Sequence, residues 1–112
     1  MAGSQIPVVV SHGEGYANFA TTEDLQHVQQ HNLVALRFID SAGAATESYP
    51  LNPNGSPHGI TGLTTTDGRF TIMMPHPERT FLSAQFSYLP NHWQAKDSPW
   101  MQMFYNARRW VA

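Results

Sequence analysis

Apolar and polar positions fall into short blocks along this chain, and the blocks set its expected elements. Ile6-Pro7-Val8-Val9-Val10 is a continuous β-branched run, the pattern of a strand buried on both faces. Ser11-His12-Gly13-Glu14-Gly15 follows as a polar turn with two glycines. Thr21-Thr22-Glu23-Asp24 reads as a helix start, with a threonine cap and acids in the first turn. The helix is predicted over 22–30, with Leu25 and Val28 inward and His27, Gln29 and Gln30 outward. Leu33 to Ile39 is the second strand, and Asp40 to Gly43 turns the chain back so that Thr46 to Tyr49 pairs beside it. The stretch YPLNPNGSPHG, dense in proline and glycine, predicts an ordered loop. Ile60 to Thr66 and Phe70 to Met74 then form a hairpin about Asp67-Gly68. After an irregular aromatic segment, Ser98 as cap and Pro99 as first residue open a final helix. Its inward stripe is predicted at Met101, Phe104 and Tyr105, joined by Ala107 and Val111.

This alternation of elements is α/β, with mixed strand pairing. The length of 112 residues accommodates one small domain. With 6 Lys+Arg against 8 Asp+Glu, the net charge is −2. That balance argues against a nucleic-acid partner, which needs clustered cations. Arg108-Arg109 is the one basic pair, and it reads as the solvated edge of a helix. No run approaches the ~18 apolar residues of a membrane span, and the N-terminus lacks the charged and apolar regions of a signal peptide. A cytoplasmic location is expected. The absence of cysteine excludes disulfides, thiolate zinc sites and a cysteine nucleophile within these residues.

Candidate chemistry centres on His76-Pro77-Glu78. In extended backbone, residues i and i+2 share a side roughly 6.5–7 Å apart, which lets the Glu78 carboxylate approach one His76 nitrogen. A carboxylate there fixes the tautomer and supports the imidazolium formed when the other nitrogen takes a proton. This is the base and orienter part of a nucleophile–base–orienter triad. A solvated surface pair is the competing reading, and the residues alone leave both open. The HGEG turn is the second candidate, because glycines at a strand end let backbone N–H groups approach a ligand. His12 and Glu14 are otherwise bystanders of a tight turn. His12, Glu14, His58, His76 and Glu78 supply donors for a metal site only if their loops converge, and nothing in their spacing demands it. No metal site is expected. His27 and His31 read as surface residues. Neither Ser11 nor Ser56 lies in a G-x-S-x-G elbow.

In this order, PVVVSHGEG, LVALRFID, ESYPLNPNGSPHGITGLTTTDGRFTIMMPHPERTF and HWQAKDSPWMQMFYNARRW resemble the C-terminal end of the large single-chain phosphoribosylformylglycinamidine synthases. The resemblance runs from about Ala2 to Val111, and NPNGSP, MMPHPER and PWMQMFYNAR together are its most specific part. It implies a class I glutamine amidotransferase domain on a flavodoxin-like α/β fold, here its C-terminal portion, a mixed sheet with flanking helices. It implies a Cys-His-Glu triad in which His76 is base and acid and Glu78 its orienter. His12, Gly13 and Glu14 are implied to shape the pocket for L-glutamine. ATP and Mg2+ are implied at a separate synthetase site of the parent enzyme, with no cofactor in this chain.

Two departures accompany the resemblance. Relatives read His-Gly-Glu-Gly-Arg where this chain has Tyr16. The family's nucleophilic cysteine, on a strand-to-helix elbow, has no counterpart here. The chain is therefore expected to be the back part of an amidotransferase domain, with the synthetase domains absent, inactive alone and prone to self-association through uncovered strand edges. A non-catalytic interaction module of the same fold and a His/carboxylate metal hydrolase are the alternatives.

Overall fold

The computed structural model describes residues 1–93 and 95–112. The chain divides into two compact units, one formed by Met1–Ser11 with Pro75–Ala112 and the other by His12–Met74.

In the His12–Met74 unit, α1 spans Thr22–Gln30, the span its pattern predicts. Thr21 Oγ1 accepts the Asp24 N–H at 3.1 Å, and Glu23 and Asp24 place negative charge at the positive end of the helix. At the other end Asn32 takes φ 55°. The Leu33 N–H then reaches Val28 O at 2.9 Å and the Asn32 N–H reaches Gln29 O at 3.3 Å. This doubly bonded reversal satisfies carbonyls that the helix end leaves free and stops it at His31.

The sheet has three strands, β1 (Val34–Arg37), β2 (Ile60–Thr64) and β3 (Thr71–Met73), in the order β1-β2-β3. The mixed pairing anticipated from the sequence resolves, among the described residues, into antiparallel ladders alone. The β2–β3 hairpin turns at Asp67-Gly68, where the Gly68 N–H meets Thr65 O at 3.0 Å and Asp67 Oδ1 accepts the Thr65 hydroxyl at 2.7 Å. The β1–β2 register is interrupted twice between Val34 and Arg37. The strand expected at 46–49 shrinks to an isolated bridge between Ile39 and Ala45. Beyond it the Thr46 carbonyl is taken by the Asn52 side chain at 2.8 Å instead of a ladder partner. Phe38 and Ile60 are the buried apolar side chains of this unit.

The loop before β2 is held by its own side chains. Asn52, only 1% exposed, donates from Nδ2 to Thr46 O at 2.8 Å and Ser56 O at 3.0 Å, and its Oδ1 accepts the Gly55 N–H at 2.9 Å. At Gly59, φ is +69° and an added Cβ would lie 2.5 Å from the Phe38 carbonyl oxygen. Both the left-handed backbone and the close approach require glycine there.

In the other unit, α2 spans Met101–Val111. It begins later than the Ser98-Pro99 cap predicts, because 98–100 form a tighter lead-in. There Met101 N–H bonds Ser98 O at 3.0 Å, Gln102 N–H bonds Pro99 O at 3.2 Å, and Ser98 Oγ accepts the Trp100 N–H at 3.2 Å. The predicted inward stripe is not buried. Met101 and Met103 are half-buried, whereas Phe104, Tyr105, Trp110 and Val111 are exposed. The run Ile6 to Val10 is not a strand either. β-Branched side chains favour extended backbone, but a strand needs a continuous ladder, and this segment accepts isolated bonds at Pro7 O and Val9 O. Trp100 is buried in this unit, as are Pro75 and Pro77.

Candidate active site

The His-Pro-Glu pair is built by a turn rather than by the extended backbone its spacing suggests. Pro77–Thr80 is a 3-10 turn with Pro77 in its first position and His76, at φ −112° and ψ 77°, just ahead of it. Proline suits that place, since its fixed φ is helical and its missing N–H is not needed. The turn curls Glu78 back, so that His76 Nδ1 and Glu78 Oε1 lie 2.6 Å apart.

The backbone around the pair is pinned from several sides. The His76 N–H donates to Val9 O at 2.7 Å and the Arg79 N–H to His76 O at 3.1 Å. Buried Thr80 offers its carbonyl to the Ser98 hydroxyl, and the Ser98 N–H reaches Phe81 O at 2.7 Å. Ser83 binds the same crossing segment through its N–H to Lys96 O at 2.9 Å and its hydroxyl to Asp97 O at 3.1 Å. Trp100 Nε1–H donates to Pro7 O at 2.7 Å, which ties the chain carrying Val9 to the start of α2. Pro75 and Pro77, flanking His76, are buried, while the His76 side chain keeps 31% of its surface and Glu78 keeps 55%.

These positions decide the protonation pattern. An ionised carboxylate accepts only, so Nδ1 carries the proton in the 2.6 Å contact. In the neutral ring Nε2 is then the basic nitrogen. The hydrogen bond from His76 holds the Glu78 carboxyl below the usual carboxylate range, with Glu78's own N–H and the positive charges of His76 and Arg79 acting the same way. The pair therefore presents a partly exposed base, oriented by a carboxylate that is ionised at neutral pH.

His12, Gly13 and Glu14 lie in the other unit. His12 folds over the turn, and its Nδ1 accepts the Gly15 N–H at 3.0 Å. A Cβ on Gly15 would stand 2.2 Å from the imidazole, so this glycine is required by the chain itself. Gly13 is different, because a Cβ there meets no atom within 4 Å. Glu14 is exposed. With Nδ1 accepting, the neutral His12 ring carries its proton on Nε2, and that atom is buried without a hydrogen-bond partner.

The sequence does not reveal how this turn is anchored. Asn54 Nδ2 donates to Gly15 O, and Ser56 Oγ accepts the Ala17 N–H at 3.0 Å while donating to Asn54 Oδ1 at 2.9 Å. Ser56 is fully buried. The loop motif thus braces the HGEG turn across 39 residues. Tyr16 is 51% exposed and lines, with Phe19, Leu25 and Pro57, an open hollow of about 330 Å³. Among the described residues, no three His, Asp or Glu side chains are grouped to hold a metal ion, and no helix is long and apolar enough to cross a membrane.

Comparison with protein families matches residues 1–111 to the CobB/CobQ-like glutamine amidotransferase domain. The match takes in the His-Pro-Glu turn and the HGEG turn alike. By that coverage the chain belongs to the CobB/CobQ-like glutamine amidotransferase domain family.

Proposed function

We propose that this chain supplies the base and orienter of a glutaminase, as the C-terminal portion of the amidotransferase domain of a phosphoribosylformylglycinamidine synthase. The observation that carries the reading is the 2.6 Å contact between His76 Nδ1 and Glu78 Oε1, which leaves Nε2 as the basic atom. Family membership supplies the reaction class, and the long motifs quoted above supply the narrower synthase assignment.

In this reading His76 Nε2 takes the proton of a cysteine thiol contributed from outside these residues, since the chain holds no cysteine. The thiolate attacks the side-chain amide carbon of L-glutamine. The His76 imidazolium returns the proton to the departing ammonia, and water releases glutamate from the thioester. Glu78 holds the ring and stabilises its cation. Ammonia then serves an ATP- and Mg2+-dependent step at a separate site of the parent enzyme, which converts formylglycinamide ribonucleotide to formylglycinamidine ribonucleotide. The resemblance also assigns His12, Gly13 and Glu14 of the HGEG turn to glutamine binding, and Gly13, around which a side chain would meet open space, leaves its backbone open to such a contact.

The test is His76→Ala in the full-length enzyme. Glutamine-dependent synthesis should be abolished while synthesis from added ammonia survives. Persistence of glutamine-dependent turnover would remove His76 from the triad. Loss of both activities would show a structural role instead.

A further inference from the structure

The helix α1 carries a histidine pair that the amidotransferase reading does not use. His27 and His31 are one turn apart, and both are exposed. Their rings stack with centroids 4.0 Å apart and an interplanar angle of 29°. His31 Nδ1 lies 2.9 Å from the His27 carbonyl oxygen. A carbonyl only accepts, so Nδ1 carries the proton and the lone pair of neutral His31 is on Nε2. This is the arrangement that prepares a metal-ligating imidazole, with one nitrogen held by a backbone carbonyl and the other free. No hydrogen bond among the described residues engages either nitrogen of the His27 ring.

We propose that His27 and His31 form a two-imidazole chelate for a late first-row divalent cation such as Cu2+ or Zn2+. Two imidazoles on one ion at about 2.0–2.1 Å each need their nitrogens roughly 3 Å apart with both lone pairs converging, which these exposed side chains one helical turn apart reach by turning the rings out of their 4.0 Å stack. The pair ends α1, where the negative end of the helix dipole favours a cation. Glu23 lies four residues before His27, on the same side of the helix, and adds negative charge. No third protein ligand is grouped with the pair among the described residues, so water completes the shell. Imidazole nitrogen selects copper, nickel and zinc over magnesium and calcium. The site departs from the sequence-based expectation that the chain has no metal site, and it is independent of the glutaminase assignment.

Substoichiometric Cu2+ added to the whole chain, followed by amide NMR, locates the site by paramagnetic broadening. Signals around His27 to Asn32 should be lost first, ahead of those near Met1, His12, His58, His76 and His92. In parallel, Zn2+ is titrated calorimetrically into the wild type and into His27→Gln and His31→Gln. Each variant should weaken binding at least about tenfold. His27→Gln keeps the cap made by His31, so its result decides the matter should His31→Gln fray the helix. Broadening that begins elsewhere, or Zn2+ affinity unchanged in His27→Gln, overturns the proposal.

Discussion

His76 Nδ1 and Glu78 Oε1 stand 2.6 Å apart across a single proline, brought together by the first turn of a 3-10 segment. The separation is that of a charge-assisted hydrogen bond, so the pair is set before any substrate arrives. Replacing Glu78 by Gln keeps size and hydrogen-bonding capacity but removes the charge. In the full enzyme, Glu78→Gln should lower glutamine-dependent kcat by about 10²–10⁴-fold and leave ammonia-dependent synthesis near wild type. Steady-state assays with the two nitrogen donors check this. An unchanged glutamine-dependent kcat would deny Glu78 a part in orienting the base.

The same contact sets a pH dependence. The Glu78 carboxyl is held low in the folded chain, first by the His76 hydrogen bond. A depressed carboxyl stabilises the fold above its unfolded value, near 4.3, and loses that contribution as pH falls through the lower folded value. Carboxyl ¹³C NMR of labelled chain should show Glu78 titrating below a Glu in an unfolded peptide. His76→Gln should move it back upward.

Asn52 is the second place where one atom decides much. Its Nδ2 serves two carbonyls, those of Thr46 and Ser56. Asn52→Asp would set a carboxylate oxygen against both, within a side chain only 1% exposed. Urea denaturation should show a loss of at least about 3 kcal/mol. A variant within 1 kcal/mol of wild type, roughly the net value of one hydrogen bond, would mean the loop has other anchors.

Trp100→Phe tests how the His76 backbone is held. The change removes the 2.7 Å bond from Nε1 to Pro7 O while keeping a buried ring. Stability should fall by about 1–2 kcal/mol. Hydrogen exchange of the His76 amide, bonded to Val9 O, should accelerate with it. Unchanged protection of that amide would uncouple the tryptophan from the candidate site.

What was legible in the sequence follows a physical divide. Local signals are written in adjacent residues, so α1 from Thr22 to Gln30, the turn at Asp67-Gly68 and the His76–Glu78 pairing can be read there. The features that escaped depend on distant partners. Val8-Val9-Val10 has strand composition, yet it takes isolated bonds rather than a ladder. Helical spacing on α2 marks Phe104 and Tyr105 as one face, but spacing does not say what lies opposite, and both are exposed. The clasp of Asn54 and Ser56 on the 15–17 backbone spans 39 residues and leaves no local periodicity. The turn geometry of His76-Pro77-Glu78 was missed for a different reason. Spacing i, i+2 brings two side chains together in extended backbone, and a proline-led 3-10 turn does so too.

Outright burial of apolar side chains is sparse among the described residues, resting on Phe38, Ile60 and Trp100 with Pro75 and Pro77, and it shapes the calorimetry of this chain. Heat capacity on unfolding tracks newly wetted apolar surface and is offset by newly wetted polar groups. A chain with so little fully buried apolar surface, and with polar side chains such as Asn52, Ser56 and Ser98 buried beside it, should fall below the usual ~12–15 cal/mol/K per residue. Its free-energy curve against temperature is correspondingly shallow, and cooling costs it little.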